Sequence, residues 1–275
     1  IMPELPEVET IARILRLGTP HQPPVVGRQV QDVQLLWSRT LAEPSPAQLH
    51  ARLLGQVIED AGRRGKFLVL RLTSRWLLFH LRMSGDLLVR PAFTPPVTHD
   101  RLLLELDGGV QLVFNDARKF GRVWLVDEVD HVLGDLGPEP LYEGFSAREL
   151  FDRLQHTRRQ LKPLLLDQSF LAGMGNIYVD EALNLAGLHP LTPSNALTQE
   201  QAARLLTSIR AVLQDGISRN GASIDWVYRG GDFQNYFRVY QRTGQPCPKC
   251  GTPIARIVVG QRGTHYCPHC QPLST

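Results

Sequence analysis

Four cysteines, Cys247, Cys250, Cys267 and Cys270, are the only ones in this 275-residue chain, and all fall within its last 29 residues. Two C-x2-C pairs separated by 16 residues supply four thiolates at the spacing of a closed tetrahedral zinc site. Such a set leaves no coordination position for water or substrate, so one structural zinc is expected, folding a tail too small to bury a core alone. Four unligated core cysteines are the bland alternative, and the spacing argues against them. Nothing near the start reads as an export signal, because Glu4, Glu7 and Glu9 stand where a signal peptide would be basic and then apolar. No apolar run approaches the ~18 residues of a membrane span. A cytoplasmic location is expected, and there paired thiols serve metal before disulfide.

A net charge of +3 hides a block pattern. Residues 61–125 hold 11 basic and 5 acidic groups, 126–152 hold 1 and 8, and 153–275 hold 13 and 7. After Asp232 no acid appears, while Arg238, Arg242, Lys249, Arg256 and Arg262 follow. Two positive surfaces facing one polyanion would carry this layout, since each neutralised phosphate releases a counterion. A solvated charged face would carry it equally well. With 43% hydrophobic and 21% charged residues, disorder is excluded as the main state.

Pattern divides the chain into three parts. Residues 5–17 read as a helix, with Pro6 in the first turn, Val8, Ile11, Ala12 and Leu15 on one face, and Gly18 as terminator. From Val57 to Val126 the period changes to two, through KFLVLRLTS, RWLLFHLRMSG, RLLLELDGG and VQLVFND, with Asp107-Gly108-Gly109 as a hairpin turn. This predicts an antiparallel β domain of two packed sheets over 1–135. Helices follow over 136–237, with capping boxes at Ser146/Glu149 and Thr198/Gln201. The Cys-bearing module occupies 238–275.

Two further constellations carry chemistry. Gly173-Met174-Gly175-Asn176 precedes a helical run, so the backbone can approach a ligand closely and Asn176 can cap a helix whose free N–H groups suit a phosphate. Arg158, Arg159 and Lys162 lie nearby in sequence and strengthen that reading over a simple packing turn. At the amino end stands Met2-Pro3-Glu4-Leu5-Pro6-Glu7. A proline freed of preceding residues is a secondary amine with a pKa of roughly 8, neutral enough to attack a sugar carbon and form an iminium. Glu4 beside it could move a proton. Without that chemistry, such a proline simply starts a helix.

Taken together, PELPEVET, Lys66 in GRRGKFLVL, HLRMSGDL, NDARKFGRV, LGPEPL, LKPLLLDQ, GMGNIYVDEAL and HYCPHCQ resemble the formamidopyrimidine-DNA glycosylases, in the right order and over nearly the whole chain. The resemblance implies an α+β protein: an N-terminal β-sandwich with a helix, a helical domain with a helix-two-turn-helix motif, and a zinc ribbon. It implies a monomer acting on damaged double-stranded DNA, excising oxidised purines and then cleaving the strand by β- and δ-elimination. Pro3 matches the nucleophile, Glu4 the acid assisting base departure, Lys66 a proton donor in the lyase step, and Arg262 the ribbon arginine that grips phosphates and assists the last elimination. Met83, Arg118 and Phe120 match the side chains that refill the stack after a base is extruded, a hole that costs a few kcal/mol. Read without the family, Met83 and Phe120 would be ordinary core residues. His99, Arg118 and Arg158 match DNA contacts, the last with a possible slip to Thr157 or Arg159, and Lys162 and Asn176 match phosphate contacts. His80 reads as a hydrogen-bonded interior histidine.

Two departures stand out. The chemistry requires Ile1 and Met2 to be absent from the mature chain, since otherwise Pro3 is a tertiary amide. The segment GASIDWVYRGGDFQNYF is short where relatives carry a longer loop, which bears on the choice between 8-oxoguanine and ring-opened purines. The rival readings are an oxidised-pyrimidine glycosylase like endonuclease VIII and a lesion-binding protein without catalysis.

Overall fold

The helix over 5–17 forms as α1 (Leu5–Leu17) because its first turn is satisfied from within. Pro6 needs no N–H partner there, and Glu4 and Glu7 close a capping box in which the Glu4 N–H donates to Glu7 Oε2 at 2.8 Å. Its apolar face, Val8, Ile11, Ala12 and Leu15, is buried in a core shared with two sheets. The structure, a computed structural model, describes residues 2–223 and 230–273. Ile1 and the middle of the GASIDWVYRGGDFQNYF segment lie outside the described residues.

Between α1 and the first expected strand the chain adds three elements that the pattern did not signal: β1 (Val30–Leu35), β2 (Leu41–Glu43) and α2 (Pro46–Leu53). Then follow β3 (Ile58–Arg64), β4 (Phe67–Leu72), β5 (Trp76–His80), β6 (Gly85–Pro91), β7 (Asp100–Leu106), β8 (Val110–Asp116), β9 (Arg122–Val126) and the short helix α3 (Asp130–Leu133). One sheet has the order β1-β7-β8-β6 and the other β2-β9-β5-β4-β3. Every pairing is antiparallel except β2 with β9. Alternate residues explain the layering. Leu87, Val89, Leu102, Leu104, Leu112 and Phe114 of one sheet share a core with Leu68, Leu70, Leu77, Phe79, Val123 and Leu125 of the other. The Phe79 and Phe114 ring centroids meet across the sandwich at 5.6 Å.

The outer face of the four-stranded sheet holds a polar clamp. Asp100, wholly buried at its carboxylate, accepts both Arg90 guanidinium nitrogens at 2.8 and 2.9 Å, the Val97 N–H at 2.9 Å and Asn115 Nδ2 at 2.7 Å. This fixes the end of the loop that carries His99.

The remaining elements are α4 (Ala147–Gln155), α5 (Leu161–Leu165), α6 (Asn176–Ala186), α7 (Gln199–Ser218), β10 (Ala255–Val259) and β11 (Arg262–Tyr266). Both expected caps are present: Ser146 Oγ accepts the Glu149 N–H at 3.1 Å, and Thr198 and Gln201 form a reciprocal pair. The chain divides into two compact units. One runs through Asp135 and takes in the described residues of Ala222–Gly231; the other holds Leu136–Gly221 and the described residues from Asp232 onward. The cysteine module therefore shares a unit with the helices. Buried polar groups of α6 dock it: Glu181 accepts the N–H groups of Arg238, Val239 and Tyr240 at 2.8, 3.0 and 2.8 Å, and Asn184 Nδ2 donates to Gln271 Oε1 at 2.9 Å. Burial raises the Glu181 pKa against those three donors. Among the described residues no helix is long and apolar enough to cross a membrane.

Candidate active site and nucleic-acid interface

Pro3 and Glu4 are buried at the start of α1, Glu4 at 2% exposure. Beside Glu4, Glu7 accepts two backbone donors, the Glu4 N–H on Oε2 and the Ala222 N–H on Oε1 at 2.7 Å. The helix start is thereby tied to the segment beginning at Ala222. Arg63 at the far end of β3 pairs with Glu9 Oε2 at 2.8 Å, bringing the β3–β4 turn alongside the first turns of α1. That turn is Gly65-Lys66, since Arg64 pairs with Phe67. Gly65 has φ 58°, the conformation a two-residue hairpin demands at its first position. The turn delivers Lys66 inward, at 4% exposure. Next to it, His80 Nδ1 accepts the Arg82 N–H at 3.1 Å, and Phe67 meets the imidazole edge-on at 4.7 Å. Burial first, then the charges of Arg82 and Lys66, push the His80 pKa down to about 3. His80 is thus a neutral interior histidine.

A second group lies on two loops of the same unit. Phe120 is 53% exposed, Met83 is half-buried, and Arg118 is exposed with its guanidinium 5.4 Å from the Phe120 ring centroid. Neither Met83 nor Phe120 is a core residue. His99 is also exposed.

In the other unit, Arg158 is exposed and its side chain makes no hydrogen bond among the described residues. Arg159 is engaged instead, donating to Asp167 Oδ2 at 2.7 Å, and Thr157 Oγ1 accepts the Arg159 N–H at 3.3 Å. Of the three aligned candidates, Arg158 is the open cation. Two residues are placed differently from expectation. Lys162 is not an open phosphate contact: it is wholly buried, and Nζ donates to Asp180 Oδ1 at 2.6 Å and Gly263 O at 3.0 Å. Asn176 does not cap α6, since Gly175 holds that position. Its Nδ2 donates to Gly263 O at 3.1 Å, while its Oδ1 is buried with no hydrogen-bond partner among the described residues. Both side chains thus hold the hairpin of β10 and β11. Asp180 completes the hold by accepting the His265 N–H on Oδ2 at 2.8 Å. At the hairpin tip Gly260 and Gln261 both have positive φ, 54° and 62°, as a type I′ turn requires, and Arg262 is presented exposed. The sequence reading passed over Asp180 and Glu181, whose only signal was two acids inside a run with apolar neighbours.

The sulfurs of Cys247, Cys250, Cys267 and Cys270 all lie within 4.8 Å of one another. Tetrahedral ligation at about 2.3 Å would separate sulfurs by roughly 3.8 Å, so the four fit one zinc. Thiols this close cannot titrate alike: hydrogen bonds at Thr252 draw Cys250 down to about 6, whereas burial and then the neighbouring sulfurs push Cys270 up to about 12. A cation resolves that conflict by holding all four as thiolates.

Family models match in the order of these parts. Residues 2–123 match the formamidopyrimidine-DNA glycosylase N-terminal domain, 136–227 its H2TH (helix-two-turn-helix) domain, and 244–273 a zinc finger found in FPG and IleRS. Sandwich, helical domain and four-cysteine zinc finger in that succession define a DNA-repair glycosylase. Formamidopyrimidine-DNA glycosylases of Chloroflexus aggregans and Chloroflexus aurantiacus are 47% and 48% identical over 280 and 278 residues, covering 99% and 98% of each chain. A Lactococcus lactis Fpg in complex with abasic-site DNA superposes with a TM-score of 0.90 at 36% identity, covering 98% of this chain and 100% of that one. The same enzyme with N7-benzyl-Fapy-dG DNA gives 0.90 at 37% and the same coverage. The chain belongs to the formamidopyrimidine-DNA glycosylase family.

Proposed function

We propose that the protein is a bifunctional DNA glycosylase and abasic-site lyase that excises oxidised purines, 8-oxoguanine opposite cytosine and formamidopyrimidines, and nicks the strand. The observation that carries this reading is the buried Pro3-Glu4 pair at the start of α1, with the β3–β4 turn that bears the buried Lys66 tied to the same helix through Arg63 and Glu9. In a chain beginning at Pro3, the imino nitrogen bonds C1′ of the damaged nucleotide. The glycosidic electron pair departs with the base, and Glu4 supplies a proton as the sugar ring opens. The resulting iminium acidifies C2′–H. Loss of that proton expels the 3′ phosphate, a second elimination expels the 5′ phosphate, and water then frees Pro3. Lys66 serves as proton donor in the lyase step, and Arg262 steadies the phosphates and assists the final elimination. Met83, Arg118 and Phe120 refill the stack, Arg118 and Phe120 from exposed positions and Met83 from a half-buried one. Arg158 and His99 contact the DNA, while Lys162 and Asn176 act through the ribbon hairpin rather than by open contact. One copy acting on damaged double-stranded DNA suffices.

Competing cleavage of 8-oxoguanine:cytosine and thymine glycol duplexes tests the assignment. Preferential cleavage of the purine lesion is expected. Preference for the pyrimidine lesion would reassign the chain to the endonuclease VIII type of activity, and binding without cleavage of either would make it a lesion-binding protein.

A further inference from the structure

The two loops bearing Met83 and Arg118–Phe120 are separate crossovers from one sheet to the other, β5 to β6 and β8 to β9, yet both hang from one carboxylate. Asp116, the last residue of β8, is wholly buried. Its Oδ1 accepts the Ser84 hydroxyl in a short hydrogen bond and the Arg118 N–H at 3.2 Å, and its Oδ2 accepts the Gly121 N–H at 2.7 Å. Ser84 Oγ accepts the Arg118 N–H as well, at 3.0 Å. The backbone of Asp116 extends the set: its N–H donates to His99 O at 2.8 Å and its C=O accepts Arg101 Nε at 2.8 Å.

These bonds hold conformations the loops would not keep alone. Each loop contains a non-glycine residue in the left-handed region, Arg82 at φ 53° next to Met83 and Lys119 at φ 61° between Arg118 and Phe120, a conformation that side chains disfavour. Each loop is closely packed at its glycine. A Cβ on Gly85 would stand 2.6 Å from Leu81 O, and one on Gly121 would stand 2.4 Å from Phe114 Cζ. Lys119 is also anchored outward, its Nζ 4.1 Å from the Trp37 ring centroid. Filling a vacated base-pair space requires several side chains at fixed mutual spacing, and loops ordered beforehand do so without an ordering cost at the moment of extrusion.

We propose that Asp116, relayed by Ser84, is the positioning residue that locks the Met83 loop to the Arg118–Phe120 loop and thereby sets base extrusion and readout of the opposite base. The proposal rests on the reading of Met83, Arg118 and Phe120 as stack-filling residues. Asp116 touches no reacting atom, so its loss spares the elimination chemistry itself. In Asp116→Asn an amide NH2 replaces one acceptor and must face either Gly121 N–H or the Ser84–Arg118 pair.

The test compares two substrates: an 8-oxoguanine:cytosine duplex, which demands extrusion, and a single-stranded oligonucleotide with a preformed abasic site, which has neither a base to extrude nor a stack to fill. For Asp116→Asn, kcat/KM on the duplex is expected to fall about tenfold or more, with the single-stranded reaction changing less than about threefold. Discrimination between cytosine and adenine opposite the lesion should narrow in parallel. Ser84→Ala, which removes one link and leaves the Gly121 bond, should shift the same ratios in the same direction by less, and it carries the test if Asp116→Asn does not fold. Equal losses on both substrates, or loss on neither, would overturn the proposal. If the parent protein excises no base from any damaged duplex while cleaving abasic sites, the stack-filling reading itself fails, a result distinct from any of these.

Discussion

Replacing Lys162 by methionine keeps most of the side-chain volume but leaves Asp180 buried without its ammonium partner. The two groups meet at 2.6 Å with both side chains fully buried. Breaking such a pair from one side costs about 3–5 kcal/mol, because a desolvated charge remains. Asp180 retains the His265 N–H at 2.8 Å, and Gly263 O retains Asn176 Nδ2 at 3.1 Å, which places the cost at the lower end, about 3 kcal/mol. For a chain of this size that corresponds to a Tm lower by about 6–12 °C. Thermal and urea denaturation of the zinc-loaded protein would read it. Lys162→Met with Asp180→Asn removes both charges while leaving an oxygen for the His265 N–H, and should recover at least half of the loss. A single variant within about 1 kcal/mol of the parent, or a double variant no better than the single, would refute the claim that this ion pair between α5 and α6, with its bonds to Gly263 and His265, anchors the ribbon hairpin.

Metal analysis should find one zinc per chain, and chelation should abolish duplex binding as the ribbon unfolds, since structural zinc contributes about 10–16 kcal/mol to such modules; full binding after zinc removal would contradict this. His80 stays neutral in the folded protein down to about 3 but takes a proton near 6.5 when unfolded. The unfolded state binds more protons between those values, so stability should rise with pH across that window and level off above it. Between pH 5 and 7 the His80 contribution is about 2 kcal/mol, and urea midpoints of His80→Gln should show a correspondingly shallower slope; an identical slope would show that His80 does not titrate as described. Gly216 lies inside α7, where alanine is ordinarily favoured by about 1 kcal/mol, yet a Cβ there would sit 2.5 Å from the Tyr178 ring. Gly216→Ala should therefore destabilise by about 1–3 kcal/mol, and a rise in Tm would show that the ring moves aside freely.

What the sequence made legible follows from local chemistry. The cysteine spacing, the Asp107-Gly108-Gly109 turn, the α1 start and the Thr198/Gln201 capping box each depend on residues a few positions apart, and each is present as read, while the box expected at Ser146/Glu149 forms only its Ser146 half. β1 and β2 escaped because β1 carries a register irregularity between Val30 and Asp32 and β2 has only three residues, too little for a period of two to show. Lys162 and Asn176 read as ligand contacts because polar residues beside a glycine turn usually face outward. Their actual partner, Gly263 O, lies 101 and 87 residues further along the chain, beyond any local pattern. Glu181 escaped for the same reason, its three donors lying 57 to 59 residues away. Asp116 stood in plain sight inside NDARKFG, but only the fold brings Ser84 to it.

Borohydride reduction of the protein mixed with 8-oxoguanine duplex, followed by peptide mass mapping, tests the central claim most directly. For protein whose amino terminus is Pro3, verified by intact mass, a stable protein–DNA adduct is expected on the Pro3 nitrogen, lost in Pro3→Gly and retained when Lys66 is replaced by methionine. An adduct mapped to a lysine, or full activity from a chain that still carries Ile1 and Met2, would contradict it.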